Sequence, residues 1–224
     1  MSGPNIELRC CAFESVLAAA PRVCGVVADP PWDYNNRGGN GGVEGQYGSL
    51  TNADIAGHLD ASWDLVPTDA YLIVWCTWPK LLEWTEAART MRWRYVTGGA
   101  WVKSNGFGVG YHAAGDSELV LYYVKGSPRP ADGRQTNGWH APRLGHSEKP
   151  QAALEPIVRT VAPEGGVILD PYAGESASLA RACKRLGRGY LGCEIDAERH
   201  ATAVRRLAGE SAVQARMPGQ VSLW

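Results

Sequence analysis

Segments with strand and helix patterns alternate along the chain. Short strands, several of them continuous apolar runs, are predicted at 6–10, 23–28, 70–76, 95–103, 118–125, 167–170 and 190–195. Helices are predicted at 13–20, from about residue 51, and at 79–91, 150–161, 176–186 and 197–207. This alternation predicts an α/β fold with a doubly wound, mostly parallel, seven-stranded sheet.

Two stretches show neither a strand pattern nor a helix pattern. Residues 35–48 contain Gly38, Gly39, Gly41, Gly42, Gly45 and Gly48, which predicts a loop. Residues 126–146 read as irregular. With 224 residues, the chain is expected to form one domain, 1–224.

Charge and cysteine usage narrow the classes of protein. The formal net charge is −1, so no overall basic field indicates a nucleic-acid partner. The six cysteines form no C-x-x-C pair and none lies near a histidine at zinc-ligand spacing, so no metal site is expected. We interpret them as reduced core residues of an intracellular, cytoplasmic protein. No apolar run suggests a membrane span, and no signal-peptide pattern is evident.

The strand at 167–170 runs into Asp170-Pro171-Tyr172-Ala173-Gly174-Glu175-Ser176 and then into a helix. A glycine turn before a helix N-terminus lets the backbone approach a ligand and exposes unpaired N–H groups. Glu194 ends the next strand, where an acid suits a ribose diol, and Asp196 is close enough to replace it. A plain strand–helix turn with surface acids is the alternative.

The strand at 23–28 runs into Asp29-Pro30-Pro31-Trp32. Adjacent prolines stiffen the backbone and fix the direction of the carbonyl groups. Such a corner can hold an amino group between the Asp29 carboxylate and the Pro30 carbonyl, while the face of Trp32 stacks a base. The alternative is a rigid turn with a buried tryptophan.

A third motif, His146-Ser147-Glu148-Lys149-Pro150, precedes a helix. The Ser147 hydroxyl and the Lys149 ammonium can hold a ligand carboxylate. Alternatively, Ser147 is the N-cap of the helix, with Pro150 in its first turn. Both interpretations stay open.

Together these motifs resemble those of N6-adenine methyltransferases. The Asp29–Trp32 stretch is similar to their catalytic motif, 170–174 to their S-adenosylmethionine motif, and 146–150 to the motif before it. The order, with the catalytic motif first, is that of the circularly permuted β class. The resemblance implies the class I, Rossmann-like methyltransferase fold, S-adenosylmethionine as the cofactor, and catalysis by Asp29, Pro30, Pro31 and Trp32. It implies cofactor contacts from Asp170, Pro171, Tyr172, Gly174, Ser176, Glu194, Asp196, His146, Ser147, Lys149 and Cys11.

The Trp form of the catalytic motif, with 46–50 and 100–103, most resembles the MT-A-seventy family. That family includes messenger-RNA enzymes and prokaryotic or phage DNA enzymes, so nucleic acid is the expected partner, with DNA favoured over RNA. Two features depart from the pattern. Cys11 stands where an Asp usually ends the first strand, which implies backbone contact alone, and 126–145 is too short for a target-recognition domain.

Cations are expected where phosphates pass, and the loops supply them. Residues 125–145 carry Lys125, Arg129, Arg134 and Arg143 against Asp132. The loop at 35–48 carries Arg37 and Tyr47, and Lys103 ends a strand. We predict that the two loops flank the nucleic-acid strand and close over a flipped adenine. The alternative is that both are solvated connections.

Other functions stay open at this point. A cytosine N4 methyltransferase uses the same geometry, although its pattern usually has Ser in place of Asp29. A catalytically idle nucleic-acid-binding subunit would bind the donor weakly, and a homodimer or a second subunit stays open as a partner. A small-molecule methyltransferase is disfavoured by Trp32, and a dehydrogenase lacks G-x-G-x-x-G after its first strand.

Overall fold

The computed structural model describes residues 4–34, 49–106, 112–145 and 148–209. Its strands are β1 (Ile6–Cys10), β2 (Gly25–Ala28), β3 (Ala70–Cys76), β4 (Arg94–Lys103), β5 (Ser117–Lys125), β6 (Gly138–Ala141), β7 (Val167–Asp170) and β8 (Gly189–Glu194). Its helices are α1 (Phe13–Ala19), α2 (Asn52–Ala61), α3 (Leu81–Ala88), α4 (Gln151–Val161), α5 (Ser178–Arg185) and α6 (Ala197–Leu207). Short 3-10 helices at Ser62–Leu65 and Trp78–Lys80 follow α2 and precede α3.

The strands form one mixed sheet in the order β1-β8-β7-β2-β3-β5-β4-β6. All neighbours pair in parallel except β5, which is antiparallel to both β3 and β4. From the β2/β7 pair the chain continues outward in both directions, to β3 on one side and to β8 on the other. Their shared carboxyl edge is therefore the topological switch point, where open α/β sheets bind ligands.

Each face of the sheet is covered by helices. One apolar core joins alternate strand residues such as Ile73 and Val120 to α4, α5 and α6. The other joins the opposite residues, such as Leu72 and Leu121, to α1, α2 and α3. The central strands β2 and β3 have continuous apolar sequences because helices bury both of their faces. Helices on both faces confirm the predicted doubly wound arrangement.

The predicted strand count is wrong, because the sheet has an eighth strand, β6, inside the stretch interpreted as irregular. β6 has four residues and pairs in parallel with the end of β4. Trp139 and Ala141 are buried, whereas Gly138 and His140 are exposed. Two apolar positions are too few to predict a strand from the sequence. The extended conformation of β6 is stabilised by its pairing with β4 and not by local sequence preference.

Several element ends also differ from the prediction. The helix predicted to start at Ser176 starts at Ser178, because Ala177 has a left-handed φ of 46°. Pro150 occupies the N-cap of α4, so the cap role considered for Ser147 is not found. Cys76, Cys183 and Cys193 are buried, but Cys10 is exposed and is not a core residue. Within the described ranges, no helix is long and apolar enough to cross a membrane.

Candidate active site

The motifs at 29–32 and 170–174 meet at the carboxyl edge of neighbouring strands. Asp29 directly follows β2, Asp170 ends β7, and the two strands pair in parallel. Within the corner, the Trp32 N–H donates to the Pro30 carbonyl at 2.9 Å, and the Leu50 N–H donates to the Pro31 carbonyl at 3.1 Å. Backbone hydrogen bonds thus fix the carbonyl groups of both prolines. The Pro30 carbonyl oxygen keeps one lone pair that can accept from a further donor.

The Asp29 carboxylate is the first of four charged side chains that form a row of ion pairs with alternating sign. Lys149 Nζ lies 2.7 Å from Asp29 Oδ2 and 3.1 Å from Glu118 Oε2. Glu118 Oε1 in turn accepts from Lys103 Nζ at 3.0 Å. The Asp29 side chain is 35% exposed, whereas the other three are 12–17% exposed. We call Asp29, Lys149, Glu118 and Lys103 the charge quartet, and Asp29 is its open end.

Pairing within the quartet sets which groups are charged. Burial raises the pKa of Asp29, Lys149 opposes that rise, and the charge of Glu118 adds to it. Burial also acts against ionised Glu118, but Lys149 and Lys103 bring its pKa below the usual range. The pKa of Lys149 is raised, since its two carboxylates outweigh the effect of burial. Two cations therefore balance two anions, with Asp29 the carboxylate most readily protonated.

The structure conflicts with the predicted base-stacking role of Trp32. Its side chain is only 8% exposed and packs in the second core. Its ring meets the ring of Trp84 edge-on, with centroids 5.4 Å apart. The alternative of a rigid turn with a buried tryptophan fits this residue, because a stacked base needs an open ring face.

Asp170 is buried, and each of its carboxylate oxygens accepts one hydrogen bond. Its Oδ1 accepts from the Tyr172 N–H at 3.1 Å, and its Oδ2 accepts from the Tyr190 hydroxyl at 2.9 Å. Burial raises the pKa of Asp170 to about 7, against the lowering effect of these two hydrogen bonds. A carboxyl group held this rigidly at a strand end can receive a ligand ammonium and changes charge near neutral pH.

Glu194 and the glycine turn form the next part of the site. Glu194 Oε2 accepts from the Gly174 N–H at 3.1 Å, and Glu194 Oε1 accepts from the Asp196 N–H at 2.9 Å. Gly174 has a φ of 62°, and its missing side chain would point into open space. Asp196 is the N-cap of α6, where its carboxylate accepts from the Glu198 and Arg199 N–H groups. Of the two acids, Glu194 therefore faces the turn, while Asp196 stabilises a helix.

The remaining residues of the 170–176 motif support the turn. The Pro171 carbonyl accepts from the Cys193 thiol, and the Tyr172 hydroxyl lies 3.1 Å from His58 Nδ1. Ser176 is buried, and its hydroxyl lies 2.7 Å from that of Ser178. Cys11 follows β1 and donates its backbone N–H to the Glu194 carbonyl at 3.1 Å.

Two predicted nucleic-acid contacts lie at the wrong edge of the sheet. Because β5 is antiparallel, it carries the chain from the carboxyl edge back to the amino edge, where 126–137 lies. Exposed Arg129 and Arg134 therefore lie away from Asp29, and the prediction that they flank the active site is corrected. Lys125 is not available either, since its Nζ binds the carbonyls of Trp63 and Val66.

Arg143 and Lys103 do lie at the carboxyl edge, to which β6 returns the chain. Arg143 is exposed, and its backbone exchanges two hydrogen bonds with the Asn105 side chain, at 2.7 and 2.9 Å. Lys103 is only 12% exposed and is paired with Glu118, so it belongs to the charge quartet rather than to a phosphate path. Arg37, Tyr47, His146 and Ser147 lie outside the described residues.

Three residues at the site were missed by the sequence reasoning: Glu118, Trp78 and Ile195. Glu118 stands at the start of a strand, and only the antiparallel direction of β5 brings it to the carboxyl edge. Ile195 is 74% exposed directly after Glu194, and Trp78 is 54% exposed two residues after the end of β3. A large apolar residue just beyond a strand end was a usable signal in both cases.

Comparison with known proteins gives matches to part of the sequence. Residues 132–205 match the N6/N4 methyltransferase family, described as DNA methylase. The DNA adenine methyltransferase YhdJ of Escherichia coli (strain K12) is 30% identical over 104 residues, which is 42% of this chain and 35% of YhdJ. The chain thus spans about a third or less of the length of the curated relatives it matches.

Solved structures match over most of the chain. The crystal structure of M1.HpyAVI in complex with SAM has a TM-score of 0.71 at 18% identity, covering 90% of this chain and 99% of that one. The PvuII DNA methyltransferase, described as cytosine-N4-specific, has a TM-score of 0.72 at 12% identity, covering 92% and 87%. At these identities the likeness shows the fold, which is that of known DNA methyltransferases.

Proposed function

We propose that this chain is an S-adenosylmethionine-dependent DNA methyltransferase that methylates the N6 amino group of adenine. The observation that carries the proposal is the Asp29–Trp32 corner at the switch point beside Asp170, with Asp29 as the open end of the charge quartet. The match at 132–205 and the similarity to YhdJ support the DNA methylase class. The residues of the corner and the order of the motifs favour the MT-A-seventy type within the permuted β class.

The residues beside Asp29 fit the proposed cofactor. Gly174 leaves open space at a left-handed turn, buried Glu194 suits a ribose diol, and exposed Ile195 suits the face of an adenine ring. Asp170 suits the ammonium of the methionine part. When bound there, S-adenosylmethionine supplies a methyl group on a positively charged sulfur.

The corner would prepare the acceptor amine. Its lone pair is delocalised into the adenine ring, so the amine is a poor nucleophile. Asp29 and the Pro30 carbonyl, as acceptors for its two hydrogens, return electron density to the nitrogen and fix its direction. The donor would supply the methyl group, with its sulfur leaving as a neutral thioether, and Asp29 would accept the proton that the nitrogen loses on methylation. The raised pKa of Asp29 favours that acceptance.

Lys149 takes a different part from the one first considered. Its ammonium already binds Asp29 and Glu118, so a donor carboxylate would have to share it. We assign it to positioning the Asp29 carboxylate.

The test uses DNA and RNA oligonucleotides, radiolabelled donor and analysis of the nucleosides produced. N6-methyladenine from DNA is the expected product. N4-methylcytosine would instead support the cytosine alternative, to which the PvuII likeness gives a structural precedent. Methylated RNA alone would move the substrate to RNA, and donor binding without any product would support an idle subunit.

Asp29→Ala should lower turnover by at least about a hundred-fold, because the group that accepts the proton is lost. Donor affinity should stay within about two-fold of that of the unchanged protein, measured by calorimetry with S-adenosylhomocysteine. Asp64→Ala, at an exposed carboxylate paired with Arg92, is the matched control and should leave both values unchanged. Full turnover in Asp29→Ala would exclude the mechanism.

A further inference from the structure

Because Trp32 is only 8% exposed, it does not itself offer the open aromatic face that an unstacked base needs. Among the described residues, two aromatic side chains are more than half exposed: Trp78 at 54% and Tyr95 at 55%. Tyr95 lies near the start of β4, at the amino edge of the sheet. Trp78 lies two residues after Cys76, the last residue of β3, at the carboxyl edge.

Hydrogen bonds tie Trp78 and its neighbour to the residues around the corner. Its indole Nε1 donates to the Ser117 hydroxyl at 3.0 Å, and Ser117 directly precedes Glu118 of the charge quartet. The preceding Thr77 exchanges a 2.8 Å hydrogen bond with the hydroxyl of Tyr34, two residues after Trp32. Trp78 is thus connected to the charge quartet through Ser117 and, by way of Thr77, to the proline corner through Tyr34.

The hydrogen bond to Ser117 also restricts the motion of the exposed Trp78 side chain. It satisfies the one polar atom of the indole and fixes the orientation of the ring, so little rotational freedom remains to be lost on binding. The backbone of Trp78 is fixed as the first residue of the 3-10 helix Trp78–Lys80, in which the Lys80 N–H donates to the Thr77 carbonyl at 3.0 Å. A rigid, exposed indole is well suited to stacking of a planar ligand.

We propose that Trp78 is the stacking surface for an unpaired base of the bound nucleic acid at the mouth of the active site, in place of the buried Trp32. The inference rests on the proposed function, because it needs a nucleic-acid substrate. Base–aromatic stacking tolerates any base, so Trp78 contributes to affinity more than to sequence choice. Trp78 is uncharged, so its contribution should not depend on salt.

The experiment compares unchanged protein, Trp78→Ala, Trp78→Phe and Leu82→Ala. Leu82 is 82% exposed one turn away on α3 and is the matched surface control. Affinity for a single-stranded DNA oligonucleotide is measured by fluorescence anisotropy at several salt concentrations. Trp78→Ala should weaken binding roughly ten-fold with an unchanged salt slope, and Trp78→Phe should restore most of the affinity. Leu82→Ala and the S-adenosylhomocysteine affinity of all variants should stay unchanged.

Binding by Trp78→Ala within about two-fold of the unchanged protein would overturn the inference, as would an equal loss in Leu82→Ala. Either result, with the unchanged protein still methylating DNA, leaves the proposed function intact. If the unchanged protein neither binds nor methylates the oligonucleotides, the proposed function fails and the inference fails with it.

Discussion

Glu118 and Asp29 carry like charges on opposite sides of one ammonium. Lys149 Nζ lies within 3.1 Å of a carboxylate oxygen of each. Glu118 therefore acts on Asp29 in two ways, by holding the shared lysine in place and by raising the pKa of Asp29 through charge repulsion. It is a positioning residue for the proposed reaction, since its contacts are to the quartet.

Replacing Glu118 with Gln tests this role. Loss of the repulsion should lower the pKa of Asp29, so the acidic limb of the kcat/KM profile should move to lower pH. Turnover should fall between about ten- and a hundred-fold, because Lys149 loses one of the two carboxylates that hold it beside Asp29. Glu155→Gln, which removes a carboxylate paired with Arg185, is the control and should not move the limb. An unmoved acidic limb in Glu118→Gln would remove Glu118 from the mechanism.

Asp170 gives a pH dependence with opposite signs for stability and binding. Its pKa is raised from 3.8 to about 7, so the folded protein keeps a proton that the unfolded chain releases. This group's contribution to stability is present below pH 3.8 and is lost as pH rises to about 7. Ionised Asp170 attracts an ammonium, so donor affinity should increase over the same range.

Calorimetry with S-adenosylhomocysteine between about pH 6 and pH 7.5, where the ligand amino group stays protonated, measures the binding part. We expect tighter binding at the upper pH and little pH dependence in Asp170→Asn. The same variant should show a flatter dependence of Tm on pH. A donor affinity that rises equally in Asp170→Asn would place the titrating group elsewhere.

At the scale of elements, β5 and β6 determine which loops reach the active site. β5 runs against its neighbours and takes the chain to the amino edge, and β6 brings it back. Segments before and after β6 therefore have different surroundings although they are adjacent in sequence. Asn105 fixes the second segment through the backbone of Arg143.

This arrangement predicts different effects for arginines that the sequence treats alike. Arg143→Ala should raise the KM for nucleic acid and lower the slope of log affinity against log salt by about 0.9, the value for one lost phosphate contact. The double change Arg129→Ala with Arg134→Ala should leave both within error, because these side chains lie at the other edge. If the double variant has the larger effect, nucleic acid does not pass over the carboxyl edge.

At the scale of the whole molecule, charge is arranged locally rather than globally. The net charge is −1, and the quartet is neutral within itself. Elsewhere, Asp132 pairs with Arg159 and with the buried Arg188, which fixes the segment after β5 at the amino edge. With so little net charge on the protein, a polyanion would be attracted through exposed cations such as Arg143, which is consistent with a small, salt-sensitive interface.

The α/β class and the positions of the motifs at 29–32 and 170–174 could be predicted from the sequence alone. Continuous apolar runs such as 70–76 arise because both faces of the strand are buried, so that no position along it faces solvent. The pattern does not depend on which side chains pack against the strand. Asp29 and Asp170 follow such runs directly, so a parallel sheet puts them at one edge whatever the strand order. Gly174 was recognisable because its left-handed backbone favours glycine.

Which side chains share the active site depends on contacts between residues that are distant in sequence. The direction of β5 depends on pairing with β3 and β4, which are distant in sequence, and that direction brings Glu118 to Lys149 and takes Arg129 away. The burial of Trp32 depends on Trp84 in a helix packed from the other side of the core. Long-range packing partners leave no local period in the sequence, so the burial of Trp32 and the exposure of Trp78 are visible only in the folded chain.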